Sequence, residues 1–220
     1  MKNIKLLNGK PLITYMINAA LGSNYLKRVI VSTDNPDIKQ VSLDAGAEVP
    51  FLRPENLSTD CPSELVTQHA VKFIEEEENE KLDIVVTMQP TTPFCTSEDI
   101  DACINILLSS SNLDSIFTAA FVHERPEWMF KLKDNHAAVL ISGEEIKGET
   151  GVYQSLPELV TVNGAAYATR RNTLFEEGMI ISKNTGVHIM SHERSIDIDV
   201  PIDFEFAEFI LKKNKFNLDK

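Results

Sequence analysis

The sequence predicts an α/β fold built on a mostly parallel sheet. Short apolar stretches alternate with helical repeats through most of the 220 residues, a pattern that lays helices on the faces of a parallel sheet. Residues 83–88 are near-continuously apolar around Ile84, Val85 and Val86, as a strand buried on both faces must be. Helix-start signals stand before the helical stretches, Asn35 ahead of Pro36 and Thr96 or Ser97 ahead of the next apolar repeat.

The elements follow in order. Residues 11–21 carry Pro11 at the start and two apolar rows, Leu12, Met16, Ala19, Ala20 and Ile13, Ile17, Leu21, at helical spacing. A short strand is expected at 28–32. Asn35 then caps a helix that Gly46 closes, and a strand is expected at 48–52. After a loop rich in Pro, Ser, Asn and Asp, Ser63 is placed to cap a helix reaching residue 77, followed by the strand at 83–88. A helix to about residue 108 and a strand at 115–122 repeat the unit.

Between 123 and 159 the alternation stops, which marks an insertion or a dimerisation arm within one domain spanning 1–220. It resumes as a strand at 165–169, a short helix near 171–177, a strand near 187–190 and a last helix at 201–213.

Composition removes several classes of function. A net charge of -12 with no basic stripe argues against a nucleic-acid backbone. No run of about 18 apolar residues offers a membrane span, and the first residues lack the apolar core of a signal peptide. Cys61, Cys95 and Cys103 form no Cys-x-x-Cys spacing, so a disulfide framework or zinc site is not suggested and a reducing, cytoplasmic location is expected. No metal-binding spacing joins the histidines, and His188 and His192 read as surface or packing residues of a strand. Glycine-rich nucleotide loops and the nucleophile elbow are also absent.

The residues able to carry chemistry cluster at strand ends. If 194–200 is extended, Ser195, Asp197 and Asp199 share one face and Ile196, Ile198 and Val200 the other. Two carboxylates on one side suit a hard cation such as Mg²⁺, which takes oxygen ligands. The same acids also suit a junction facing the positive end of the helix at Pro201.

Gln89, Pro90, Thr91, Thr92 and Pro93 follow the buried strand, at the edge where open α/β sheets bind ligands. The Gln89 amide can donate and accept at once, although an ordinary rigid turn explains the segment as well. Arg53 leaves another strand and leads to Ser63, a set able to hold a base or phosphate. An ion pair with Glu55 or Asp60 would account for Arg53 equally. Asn163 and Gly164 precede a strand, where Gly permits a turn or a close approach.

Taken in order, these blocks resemble the acylneuraminate cytidylyltransferases over most of the chain. Residues 2–13 resemble the end of that family's nucleotide signature and the helix after it. Residues 29–34 with 46–54, then 89–93, 163–167 and 195–199 are similar to its later blocks. The resemblance implies a Rossmann-like nucleotide-diphospho-sugar transferase fold, and a homodimer with an inserted arm. It also implies transfer of CMP from CTP to a nonulosonic acid with release of pyrophosphate. Asp197 and Asp199 would hold Mg²⁺ and Gln89 would contact the sugar. Asn3, Arg53 and Ser63 would surround the nucleotide, with Lys2 and Asn163 also in contact with substrate.

Three departures accompany the resemblance. The family has a central first strand and a basic, glycine-containing loop ahead of the positions matched by Lys2 and Asn3. Without them, neighbouring strands keep unpaired backbone groups, so a domain starting at Met1 is expected to be poorly stable or inactive. The alternative it leaves open is a non-catalytic remnant that binds nucleotide or dimerises. Phe94 and Cys95 stand where Leu and Arg are usual, and Tyr153 stands where Arg is expected.

Overall fold

A computed structural model describes residues 1–59, 61–122, 124–133, 138–143 and 145–214. Asp60 and His123 therefore lie outside the described residues. The chain forms two compact units, Met1–Ala119 with Val162–Lys220, and Ala120–Thr161.

The larger unit opens with β1 (Leu6–Leu7) and β2 (Lys10–Pro11), an antiparallel hairpin. Asn8 and Gly9 turn it at positive φ of 47° and 82°, the conformation for which Asn-Gly is favoured. This Asn-Gly signal is present in the sequence, and the expected element order missed it. Then come α1 (Leu12–Leu21), α2 (Pro36–Asp44), α3 (Ser63–Glu78), β3 (Ile84–Met88), α4 (Ser97–Ser109) and β4 (Ser115–Phe121). The Asn35 side chain accepts from the N–H groups of Asp37 and Ile38, and Thr96 with Asp99 makes a reciprocal capping box on α4. Pro62, not Ser63, occupies the cap position of α3; Ser63 is its first helical residue.

In the smaller unit, β5 (Phe130–Leu132) and β6 (Ala138–Leu140) pair antiparallel. Arg125 is buried there and donates to the Pro157 carbonyl, while Tyr153 lies 5.1 Å from its guanidinium. The chain continues through β7 (Val160–Arg170), β8 (Thr185–Ile189) and α5 (Pro201–Asn214).

The main sheet has the order β3-β7-β4-β8. β7 is antiparallel to β3, with Val86 opposite Ala168. β4 and β8 are parallel, with Phe117 opposite Val187. Arg170 N–H donates to the Asp114 carbonyl and Ala166 N–H to Thr118 Oγ1, so β7 also opposes β4. Three strands thus share a direction and β7 runs against them.

One face packs on α1 and α4 through Met16, Ile17, Ile100, Ile104, Ala166 and Ala168. The other packs on α3 through Val71, with Leu174, Val85 and Tyr167. A separate cluster of Leu12, Tyr15, Phe94, Ile198, Phe204 and Ala207 ties α5 to the start of α1. Phe94 is fully buried there, so the departure at that position fills the core.

Several expected elements differ. The stretches at 28–32 and 48–52 are extended but form only one parallel bridge, Ile30 to Glu48. Without a longer ladder, the strand periodicity is satisfied by side-chain burial alone. The short helix near 171–177 is a π-helical turn, Thr173–Glu177. His192 lies in a 3-10 turn rather than a strand.

The 28–34 stretch, β3, α1 and α3 all contribute residues to a cavity of about 1020 Å³. Every residue of β3 is consequently half-buried, although helices cover both faces of the sheet.

Candidate active site

Three chain segments converge where β3 ends. Thr92 Oγ1 donates to the Gln89 carbonyl at 3.1 Å, which closes the proline-rich loop. Ile198 N–H donates to the Thr91 carbonyl at 2.9 Å, which draws residues 195–199 onto that loop. Gly164, on β7 at φ +80°, faces both: a Cβ placed on it would stand 2.6 Å from Gln89 Oε1 and 3.6 Å from Asp197 Oδ2.

Asn163 supports this junction from below. It is buried, accepts from Thr118 Oγ1 at 2.6 Å and donates to Ser195 Oγ at 2.9 Å. Its side chain is therefore committed to holding the 195–199 segment in place. Ser195 itself turns rather than extends, at φ -101° and ψ 20°.

Residues 195–199 belong to no sheet, so the shared-face expectation holds only in part. Ile198 is buried and Ile196 packs against the same cluster, but Val200 is exposed. Asp197 is half-buried and Asp199 exposed. Asp197 Oδ1 is buried without a hydrogen-bond partner, a costly state for a carboxylate oxygen. A hard cation with oxygen ligands would relieve it, although among the described residues no cluster of three or more His, Cys, Asp or Glu surrounds the position. Asp199 Oδ1 lies 3.3 Å from Lys2 Nζ, which also donates to the Ile198 carbonyl at 2.7 Å. This pairing had no sequence signal, since the partners are separated by nearly the whole chain.

Burial, followed by the nearby Asp197 charge, raises the pKa of the Tyr167 hydroxyl. A neutral phenol thus lies beside the acid. Arg53, Ser63, Asn3 and Gln89 line the same cavity. Arg53 donates to the Ser32 carbonyl at 2.7 Å, and its Nε is buried without a partner. The structure therefore brings Gln89 and Asp197 together at Gly164, with Asn163 behind them through Ser195, and sets Asn3, Arg53, Ser63 and Gln89 along the cavity wall, whereas Lys2 and Asp199 line a separate small pocket with Ile198, Val200 and Phe204.

A buried network behind the site escaped sequence reasoning. Asp99 accepts from Arg194 and lies 3.0 Å from His188 Nε2. Burial disfavours its charge, but the His188 and Thr96 hydrogen bonds and the Arg194 charge outweigh this and hold its carboxyl below the ordinary 3.8. Of this network, only Thr96 was singled out in the sequence, as one of two candidate caps beside Ser97. Burial pushes the Cys103 thiol up to about 12 and raises Cys95 further, which leaves neither suited to act as a nucleophile.

Residues 1–217 match the sequence profile of the family described as cytidylyltransferase. The chain is 30% identical to the CMP-N,N'-diacetyllegionaminic acid synthase of Legionella pneumophila, covering 97% of this chain and 90% of that one. It is 30% identical to a pseudaminic acid cytidylyltransferase of Campylobacter jejuni over the same shares, 97% and 90%. Identity is also 30% to the N-acylneuraminate cytidylyltransferase A of Danio rerio, across 100% of this chain and 49% of the relative. In fold, it is similar to CMP:2-keto-3-deoxy-manno-octonic acid synthetase complexed with CTP, at a TM-score of 0.67 and 16% identity, covering 96% of this chain and 92% of the other. With its α/β sheet, its loop at the end of β3 and a family match along nearly its whole length, this chain belongs to the cytidylyltransferase family.

Proposed function

We propose that this protein transfers CMP from CTP to a nonulosonic acid, giving the CMP-sugar and pyrophosphate. The observation that carries the reading is the orphaned Asp197 Oδ1 beside Gln89 at the end of β3, in a chain of this family. In the reaction, a sugar hydroxyl oxygen forms a bond to the α-phosphorus, the bond from that phosphorus to pyrophosphate breaks, and the hydroxyl proton passes to solvent.

Such an in-line displacement needs positioning and charge neutralisation more than a protein nucleophile. Mg²⁺ held by Asp197 and Asp199 would supply Lewis-acid stabilisation of the phosphate charge. The Gln89 amide orients the sugar, because it can accept from a hydroxyl and donate to a carboxylate. Its own position is set by Gly164, which leaves room for Oε1. Arg53, which lines the cavity, would supply a cation to the nucleotide, and Lys2 adds a second beside Asp199. Asn163 acts by fixing Ser195, and with it the approach of Asp197.

The smaller unit would be the arm of a homodimer, supported by its exposed apolar residues Phe130, Leu132 and Val139. Three free cysteines support a reducing, cytoplasmic location. Among the described residues, no helix is long and apolar enough to cross a membrane.

The test is pyrophosphate release with CTP and a panel of nonulosonic acids. Release that needs CTP and one or more of these sugars is expected. No release with any member, from folded protein at saturating CTP and magnesium, would overturn the reading.

A further inference from the structure

One carboxylate joins the two segments that meet at Gly164. Asp99, in the first turn of α4, is only 3% exposed. Its Oδ2 accepts from the Thr96 N–H and from Thr96 Oγ1, each at 3.0 Å, and from Arg194 Nη1. His188 Nε2, on β8, lies 3.0 Å from Oδ1. Thr96 ends the loop that begins at Gln89, and Arg194 stands directly ahead of Ser195 in the segment that carries Asp197. A single oxygen is thus shared by the anchors of both segments.

The anchors belong to a closed path. From Thr96 the loop runs back through the fully buried Phe94 to Thr91. The Thr91 carbonyl accepts from the Ile198 N–H at 2.9 Å, and from Ile198 the chain leads back through Ser195 to Arg194 and so to Asp99. Asp197 lies on this ring, and Gln89 is bonded to it where its carbonyl accepts from Thr92 Oγ1. Because residues 195–199 belong to no sheet, their position depends on such cross-links rather than on a strand ladder. Asn163 holds the ring to β7 through Ser195, and Arg194 holds it to α4.

Stability alone gives no reason to bury an ion pair at this place. A helix cap needs only Thr96 and Asp99, and taking the Asp99 and Arg194 charges out of water offsets much of their attraction. Hydrogen bonds to an ionised group supply direction and a fixed distance, which apolar packing of Arg194's segment on α4 would not. Distance matters here, since a displacement of about 1 Å transmitted to reacting groups costs about a hundredfold in rate.

We infer that Asp99 and Arg194 are positioning residues, a buried clamp that sets where Asp197 stands relative to Gln89. Neither acts on substrate directly. The clamp itself rests on the hydrogen bonds, and its purpose rests on the proposed reaction.

The test is amide hydrogen exchange of the full chain beside steady-state kinetics. Arg194→Met removes the donor and its charge while keeping much of the side chain's bulk. Exchange at the Ile198 amide should rise about tenfold through local opening, while Ile104 in α4 and Phe117 in β4 keep their protection. The same variant should lose about tenfold in kcat, with KM for CTP little changed. Arg194→Lys, which keeps a cationic donor, should restore most of both. Arg194→Gln keeps a donor without the charge and should show the same two effects at smaller size; it decides the matter if Arg194→Met does not fold.

Wild-type exchange at Ile198 in the Met and Gln variants would overturn the inference. So would a rise shared equally by Ile104 and Phe117, which marks a general loss of stability, or faster exchange at Ile198 with kcat unchanged. A loss in Arg194→Lys as large as in Arg194→Met would also overturn it. Absence of pyrophosphate release from the wild type would count against the proposed reaction, whereas exchange at Ile198 decides the clamp in either case.

Discussion

Gly164 stands so close to Gln89 that a Cβ on Gly164 would lie 2.6 Å from Gln89 Oε1. Contact at that distance forces one of the two to move, and Gly164 is held at φ +80° in a strand, where an L side chain adds strain of its own. The glycine thus makes room for the amide that the proposed mechanism uses to orient the sugar.

Gly164→Ala should accordingly impair turnover more than it impairs folding. We expect kcat/KM for the sugar to fall at least about tenfold, roughly 1.4 kcal/mol, and stability to fall by about 1 kcal/mol. Steady-state kinetics with the sugar varied at saturating CTP, beside urea denaturation, checks both. Unchanged kinetics would mean that Gln89 does not depend on this space.

A second prediction concerns the Asp99 network. Asp99→Asn should cost about 3 kcal/mol at neutral pH, because it leaves Arg194 half-buried beside a neutral group. The sign with pH follows from the direction of the shift. The Asp99 carboxyl is held below its ordinary 3.8 in the folded protein, so its contribution is full above about pH 3.8 and is lost as pH falls through the lower folded value. The stability difference between wild type and Asp99→Asn should therefore shrink as pH falls below 3.8. Denaturation curves below pH 3.8 decide it, and a difference that grew there on further acidification would contradict the assignment.

The order of helices and strands was legible because each signal is local. Asn35 ahead of Pro36, and Thr96 or Ser97 ahead of the next apolar repeat, mark helix starts from adjacent residues, and the apolar run at Ile84 to Met88 marks a strand by composition alone. The 28–32 stretch carries the same apolar mark, yet it has a partner on one side only. Pairing depends on what lies beside a segment, which periodicity does not encode. Likewise the candidate residues Gln89 and Asp197 were visible as types at strand ends, while the Lys2–Asp199 and Asp99–Arg194 pairs join distant positions. Those contacts exist only once the sheet brings its strand ends together.

The third prediction addresses assembly. Replacing residues 124–158 by a short glycine-serine linker should convert a dimer to a monomer if the smaller unit is the dimerisation arm. Sedimentation at micromolar concentration reads the mass, and circular dichroism verifies that the larger unit stays folded. A wild-type monomer, or a folded deletion variant that remains dimeric, would count against the arm.

The last prediction separates the two acids. Asp197 Oδ1 is buried without a partner, whereas Asp199 is exposed and already meets Lys2. Replacing either by Asn keeps shape but removes the charge that attracts a cation. We expect Asp197→Asn and Asp199→Asn each to lower turnover at least about a hundredfold, roughly 2.7 kcal/mol of barrier, in an enzyme that still folds. Asp199→Asn should recover partly at higher Mg²⁺, because Lys2 competes at that position and Asp197, with its buried Oδ1, remains to anchor the ion. Asp197→Asn should recover less. Direct Mn²⁺ binding to the free protein, followed by paramagnetic relaxation, gives a readout separate from activity and should weaken most in Asp197→Asn. Ile198→Val is the control: its side chain is buried in the cluster with Phe204, so it should cost about 1 kcal/mol of stability and leave the magnesium dependence alone. Near-normal turnover and Mn²⁺ binding in both Asn variants would return the two acids to a charged junction ahead of α5.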